Sequence, residues 1–493
     1  MKRQIRYGAL FLMVGAGGGA YADQAVAMSD SLGLNDLTHE QVAQGYGSAM
    51  TGSSAAASKP DSGIQAGPLK ITFGGFTELA AIYRSRNETA DVGSSFNAIP
   101  FANASNYYVP EYRESGRQSR LAMLVQGPTD GLNKAEAYFE TDFLSAGVTS
   151  NSNESNSYSL RIRQAYGLWK HDDMYILGGQ AWSLATMYKK GLVPRQEDVP
   201  LTIDAQYVVG TNWARQAGLR VVKNFGDMFA VGLALEEPQD VVKGTTPSGA
   251  DANNTGGSLL GGSGATQTFS TDIAPDVVLK LAADPGFGHY ELYSLTRFFH
   301  DRAESTPGTL ITETNNTTTA ESIGAGAILP AVPKMLDVEG TTLIGRGNGR
   351  YGSAQLADST FNPGDGSISA VLEEQARVGV IAHPTSVVDL YAYTGFEHQK
   401  GEYSLIPANN ASCDVNIIDA SILAKTATCG GIGTARQIAG GVWWKPYKGS
   451  LGYIMTGAQV SYTKLTTYES AEGTVGKTND TMAFFSFRYY PYQ

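Results

Sequence analysis

Only two cysteines, Cys413 and Cys429, occur in 493 residues, too few for a disulfide-built scaffold. Charge is sparse as well, at 17% of residues, and leans acidic with a net −11, which argues against a nucleic-acid partner. Long apolar runs are missing: past the extreme N-terminus, none approaches the roughly 20 residues that a spanning helix requires. The usual catalytic arrangements are missing too. Six histidines (His39, His171, His289, His300, His383 and His398) are scattered without metal-ligand spacing, and there is no Gly-x-Ser-x-Gly. No enzyme activity, metal or cofactor is expected. Gly347-Asn348-Gly349-Arg350-Tyr351-Gly352 matches G-x-G-x-x-G, but polar loop sequence follows where a dinucleotide site needs a helix.

What the chain does have is strict alternation. In Lys134–Leu144 the odd positions are Ala135, Ala137, Phe139, Thr141 and Phe143, whereas Lys134, Glu136, Glu140 and Asp142 occupy even ones. Tyr158–Trp169 sets Leu160, Ile162, Tyr166 and Leu168 against Arg161 and Arg163, and Met174–Trp182 follows. A period of two is a β-strand. Strands of about ten residues, apolar on one face and charged on the other, suit a sheet with lipid outside and water inside. Abundant tyrosine and glycine, 26 and 58 residues, supply girdle aromatics and turns. The alternation never breaks, so one large closed sheet is simpler than several soluble domains. The expected fold is an all-β, antiparallel transmembrane barrel.

The N-terminus predicts an export signal over residues 1–22: Lys2, Arg3 and Arg6, then the apolar Tyr7–Ala16, then Ala20-Tyr21-Ala22 as a small-x-small cleavage site. Its removal makes the mature chain three charges more acidic. Residues 23–67 are polar and small and read as a flexible periplasmic arm, leaving 68–493 as the barrel. Strand candidates begin at Leu69–Tyr83 and Arg117–Gln126, separated by a polar stretch, Ser85–Ser115, read as an external loop. Candidates then recur to Thr481–Tyr492, giving roughly sixteen strands, or eighteen if two were overlooked, with short turns alternating with long loops. After the fifth comes Ser183–Asn212, far longer than the usual four to six residues. It carries Lys189, Lys190, Arg195, Glu197, Asp198 and Asp204 alongside apolar residues able to dock. Cys413 and Cys429 share one Ser/Ala/Asn/Gly-rich segment; in an exported protein a disulfide is the simplest reading, against two free thiols or, more remotely, a metal site.

By alternation Arg120, Arg161, Arg163, Arg220, Arg297, Arg377 and Arg488 fall opposite the apolar stripe. A guanidinium facing mid-bilayer lipid costs about 2–4 kcal/mol, whereas one facing a water-filled lumen is solvated. They are therefore expected inside, either as plain wall residues or as forks for carboxylates and phosphates. Glu136, Glu140 and Asp142 would pair with part of this set or face it across water.

The runs Gly116-Arg117-Gln118-Ser119-Arg120-Leu121, Ala135–Phe143, Leu160–Gly167 and Gly178-Gly179-Gln180-Ala181-Trp182 resemble the early strands of Gram-negative trimeric porins, most of all the DcaP-like porins. Gly345–Tyr351 is similar to a Gly-rich, Arg-Tyr-ending strand and loop of the same family. The resemblance implies an outer-membrane homotrimer of sixteen-stranded barrels, with the loop at 183–212 folded in as a constriction. It also implies passive uptake of small hydrophilic solutes, often anionic ones such as dicarboxylates. Two features depart from the family: no coiled coil is evident in residues 23–67, and the chain ends Tyr489-Tyr490-Pro491-Tyr492-Gln493 where porins commonly end in Phe. The rival readings are a barrel enzyme of phospholipase or protease type, and an adhesive barrel acting through its loops.

Overall fold

The computed structural model describes residues 63–145, 158–242, 257–258, 268–270, 272–303, 314–362, 367–400, 431–468 and 475–492. The expected signal peptide, most of the expected arm, and Cys413 and Cys429 lie outside the described residues. Sixteen strands run in chain order: β1 (Leu69–Arg84), β2 (Arg120–Gln126), β3 (Asn133–Asp142), β4 (Arg161–His171), β5 (Met174–Trp182), β6 (Arg215–Phe225), β7 (Phe229–Glu236) and β8 (Asp276–Ala283). The second half is β9 (His289–Ala303), β10 (Thr314–Val332), β11 (Leu336–Arg346), β12 (Leu372–Thr385), β13 (Val388–Lys400), β14 (Ile432–Gly449), β15 (Gly452–Thr467) and β16 (Lys477–Tyr490). Each pairs antiparallel with the next, and β16 returns to β1, from Thr77↔Tyr489 to Arg84↔Met482. Closure removes the sheet edges and satisfies the backbone within the sheet, as a lipid environment demands.

Several boundaries differ from expectation for identifiable reasons. Strand β2 starts at Arg120 because Gly116–Ser119 turns, and the short strand Glu111–Ser115 covers the second half of β1 in its place. Ile64–Ala66 folds back on Leu69–Ile71 as a hairpin, so the arm does not run as free chain to residue 67. On β4, Tyr166 and Leu168 are buried inside rather than facing out with Ile162. The cause is a register shift against β3: Glu140 pairs with Gln164 but Thr141 with Ile162, leaving Arg163 as an extra residue. Such a bulge moves every later side chain to the other face.

Outward positions are apolar and open, among them Leu79, Leu219, Leu279, Ile323, Ile438 and Val460. At the short-turn end this band finishes in exposed Trp169, Phe225, Phe287 and Trp444, an aromatic girdle. The interior is not an empty bore. Residues 85–110, expected outside, turn inward and bury Val92, Phe96, Ile99 and Phe101 against Leu201, Ile203, Val208 and the wall residues Phe76, Tyr391 and Trp443. A second cluster joins Leu184, Tyr188 and Leu192 to Tyr138, Tyr166 and Leu177.

The large inward rings find room by a repeated device. Tyr293 faces Gly324 across the β9–β10 ladder, Tyr393 faces Gly379, Tyr391 faces Gly441, and Trp443 faces Gly457. In each pair the ring lies where a side chain on the glycine would stand, so the aromatic covers the glycine as in aromatic rescue.

Candidate functional site

The long connection between β5 and β6 is held inside the barrel by its own backbone. A buried loop must find partners for its N–H groups, and side chains of the barrel accept seven of them, six at inward wall positions and one, Asp284, in the turn between β8 and β9. Leu184 N donates to Glu236 Oε1 (2.7 Å), Tyr188 N to Glu291 Oε1 (2.8 Å) and Gly191 N to Asp284 Oδ2 (2.8 Å). Farther along, Leu201 N donates to the Tyr393 hydroxyl (3.1 Å) and Ile203 N to Gln459 Oε1 (2.6 Å). Val209 N reaches Gln437 Oε1 (3.1 Å), and Gly210 N reaches Glu397 Oε1 (2.8 Å). The acceptors move from β7–β9 to β13–β15, so the segment spans the barrel from one wall to the other.

Two more connections lock onto it. From the first, Ser94 N donates to Asp204 Oδ1 (3.2 Å). From the one after β11, Ser353 Oγ donates to Val208 O (2.7 Å) and Ala354 N to Glu397 Oε1 (3.0 Å). Asn97 Nδ2 in turn donates to Gln355 O (3.3 Å), joining these two connections directly. Gly347–Gly352 belongs to this plug: a single 3-10 turn, Gly349–Tyr351, followed by buried chain rather than a phosphate-binding helix.

All seven expected arginines lie on the inner side, but they do not form one solvated lining. Arg163 bonds Glu140 Oε1 (2.5 Å) and Asp142 Oδ2 (2.9 Å), Arg161 grips Asp142 through two nitrogens, and Arg120 lies 3.6 Å from Glu140. Arg297 pairs with Asp276 (3.0 Å) and Asp358 (2.8 Å), and Arg488 with Glu78 (3.0 Å). Arg377 lies between Glu339 (2.9 Å) and Asp198 (3.2 Å), and Arg220 donates to the Tyr188 hydroxyl (2.6 Å) and to Trp182 O. Except for Arg161, these guanidiniums are buried. Desolvation explains the difference from a wet wall: once the loops fold in, a buried charge is tolerable only when paired and hydrogen-bonded.

The charges of the crossing segment are used in the same way. Arg195 bonds Glu136 (2.6 Å) and the Tyr166 hydroxyl (3.0 Å); burial would lower its pKa, but these bonds and the charge of Glu136 hold it above the ordinary value. Glu197 Oε1 accepts from Arg195 N (3.3 Å), and burial raises its pKa. Asp204 is fully buried and its carboxyl is pushed up by desolvation, despite bonds from Ser94 N and Gln206 N. Lys189 is half-buried and Lys190 exposed. Sequence reasoning missed carboxylates in the first connection and in the one after β7. Burial pushes Glu88, beside Arg84, up to about 8, and burial with the neighbouring Asp358 pushes Asp240 up to about 7. It also missed Glu236, Glu291, Glu397, Gln437 and Gln459, whose only signal is a polar side chain in the inward phase of a strand.

The DcaP outer membrane channel of Acinetobacter baumannii superposes with a TM-score of 0.59 over 87% of this chain and 99% of that one, at 16% identity. The two share a fold. OmpF of Salmonella typhi (TM-score 0.47, 11% identity, 88% of this chain and 99% of that one) is also similar. So is an anion-selective porin from Comamonas acidovorans (0.45, 12%, 86% and 99%). No family model and no curated protein matches the sequence. The shared fold is that of a sixteen-stranded porin-type barrel, and it is the strand-by-strand alternation in the sequence that reaches it.

Proposed function

We propose that the protein is an outer-membrane porin through which small hydrophilic solutes diffuse passively, with no covalent chemistry. The observation that carries this reading is the crossing segment, docked by seven backbone N–H groups onto side chains of a lipid-facing barrel. A barrel of sixteen strands leaves an aqueous channel when empty. Three inward-folded connections narrow this one, which favours a small, selective conduit over a wide pore.

A preference for anions, including dicarboxylates, is part of the proposal. Most arginines are neutralised in place, so it rests on two pairs in which the cation is the more exposed partner; in Arg117–Asp91 and Arg195–Glu136 the acid is. The Arg161 side chain is 32% exposed, whereas its partner Asp142 is 1% exposed, and the Arg350 side chain is 11% exposed against 1% for Asp276. In these two pairs the cation faces the solute and the acid stands behind it. The proposal also includes cleavage of the signal peptide near Asp23 and assembly as a homotrimer.

Planar-bilayer recording of the purified protein in a salt gradient tests all but the cleavage. Three equal closing steps, a unit conductance well below that of an open sixteen-stranded pore and an anion-side reversal potential are expected. Cation selectivity would remove the anion preference. Absence of conductance, together with no liposome swelling in sugars or dicarboxylates, would remove the porin reading.

A further inference from the structure

The outer wall changes character at the rim opposite the short turns. Each of four consecutive strands ends there, beyond its apolar band, in an exposed cation: Lys400 on β13, Arg436 on β14, Lys464 on β15 and Lys477 on β16. The phase of each strand puts these side chains outside. Lys400 shares its face with Phe396, Arg436 with Ile438, Lys464 with Tyr462, and Lys477 with Phe485, all of them exposed hydrophobics.

Arg436 stands directly opposite Lys464 in the β14–β15 ladder. Lys477 is the diagonal neighbour of Lys464, since Lys464 pairs with Asn479 and Thr466 with Lys477. Like charges set face to face across a ladder repel. Lys400 is relieved by Glu374 on β12, whereas among the described residues no carboxylate forms an ion pair with Arg436, Lys464 or Lys477. Around β7–β10 the same rim presents Leu235, Val277, Thr319 and Glu321 outward. Outward cations also occur elsewhere on this rim, Arg346 at the end of β11 on the face of Ile344 and Arg215 at the start of β6 on the face of Leu219, but on β13–β16 they stand on four consecutive strands.

Its height says what would neutralise it. Lys400, Arg436 and Lys464 stand one or two outward positions beyond Phe396, Ile438 and Tyr462, and Lys477 stands four beyond Phe485, past Ala483, Thr481 and Asn479; at the edge of the apolar band lysine and arginine stems lie along the hydrocarbon and their heads reach the polar layer. We propose that Arg436, Lys464 and Lys477, flanked by Lys400, form a binding site for the phosphate groups of an outer-leaflet glycolipid, whose acyl chains lie along Ile438, Val460 and Phe485. Arginine takes a phosphate through its fork and lysine as a point charge. The apolar wall directly beneath favours a lipid over free phosphate ion. The site rests on the barrel's placement in the outer membrane and is independent of what passes through it.

The test is thermal unfolding of the full-length, detergent-solubilised protein with three probes: bis-phosphorylated lipid A, the same lipid with both phosphates removed, and inorganic phosphate at matched phosphate concentration. The expected result is a rise in Tm with the phosphorylated lipid that is lost with the other two. R436Q/K464Q is expected to lower the phosphorylated lipid's effect to that of the dephosphorylated one, and R436K/K464R to retain it. Equal stabilisation by the two lipids, an equal effect of inorganic phosphate, or an unchanged response in R436Q/K464Q would each overturn the site. The lipid comparison on the wild-type protein needs no variant, and K477Q gives a single-charge check should the double variant fail to fold. Conductance recorded on the same preparations reports the porin reading separately.

Discussion

Trp443, an inward ring of β14, donates its indole N–H to the carbonyl oxygen of Leu201 in the crossing segment at 2.7 Å. Tyr393 on β13 accepts from the N–H of the same residue, so the wall holds one residue of the segment by both its N–H and its carbonyl. Trp443→Phe would keep most of the packing but leave the buried Leu201 carbonyl without this donor, at a cost of about 1–3 kcal/mol. Trp443→Ala would add a cavity and cost about 3–5 kcal/mol. Both should appear as lowered unfolding midpoints in detergent, in that order, with larger and noisier single-channel currents as the segment loosens. Unchanged currents in Trp443→Ala would mean that the segment does not restrict the pore.

Tyr293 lies over Gly324 and accepts from Asn212 Nδ2 at the end of the crossing segment. Gly324→Ala adds a methyl where the ring now sits, so the ring must move and take its hydroxyl with it, at about 1–3 kcal/mol as for other overpacked cores. Tyr293→Phe removes only the hydroxyl, at about 1 kcal/mol. The glycine substitution, remote from any loop, should therefore destabilise more than loss of the hydrogen bond itself. The reverse order in thermal melts would show that the ring has room to spare.

The strands were legible because lipid imposes a period of two on one face, and residues such as Leu79, Leu279 and Ile438 keep that period wherever the ladder is regular. Where a bulge broke it, at Arg163, the phase of Tyr166 and Leu168 came out reversed. The inner face was legible only as polar or charged. Glu236, Gln437 and Gln459 look like wetted wall in sequence, and nothing local distinguishes an acceptor for a loop N–H from one for water. Docking of residues 85–110 was hidden for a related reason: Val92, Phe96, Ile99 and Phe101 follow no strand or helix period, because they pack as irregular chain.

Arg377 stands between a wall acid, Glu339, and a loop acid, Asp198. Asp198→Asn keeps the shape but removes one of the two acids, while Glu339 remains to neutralise the guanidinium. The cost should be about 1–3 kcal/mol, below the 3–5 kcal/mol expected when a buried charge is left alone. Changing Asp198 and Glu339 to Asn and Gln together should exceed the sum of the single effects, because only then is Arg377 stripped of both partners. Strict additivity in a double-mutant cycle would mean that the two acids act independently of Arg377.

The fold of the first connection should itself respond to pH through Glu88. Its carboxyl accepts from Ser95 N at 2.9 Å and lies 3.5 Å from Arg84, yet burial dominates and pushes it up to about 8 from an ordinary 4.5. Between these values the folded protein holds a proton that the unfolded chain has released, so stability must fall as pH rises. The contribution is fully present below about 4.5 and is lost as pH passes through about 8, with a slope of at most about 1.4 kcal/mol per pH unit. Glu88→Gln removes the proton and its slope. The wild type should therefore lose stability relative to this variant between pH 5 and pH 8, a window of roughly three units set by the two pKa values, in melts recorded at constant ionic strength. Parallel pH profiles would show that Glu88 ionises inside the barrel at no cost.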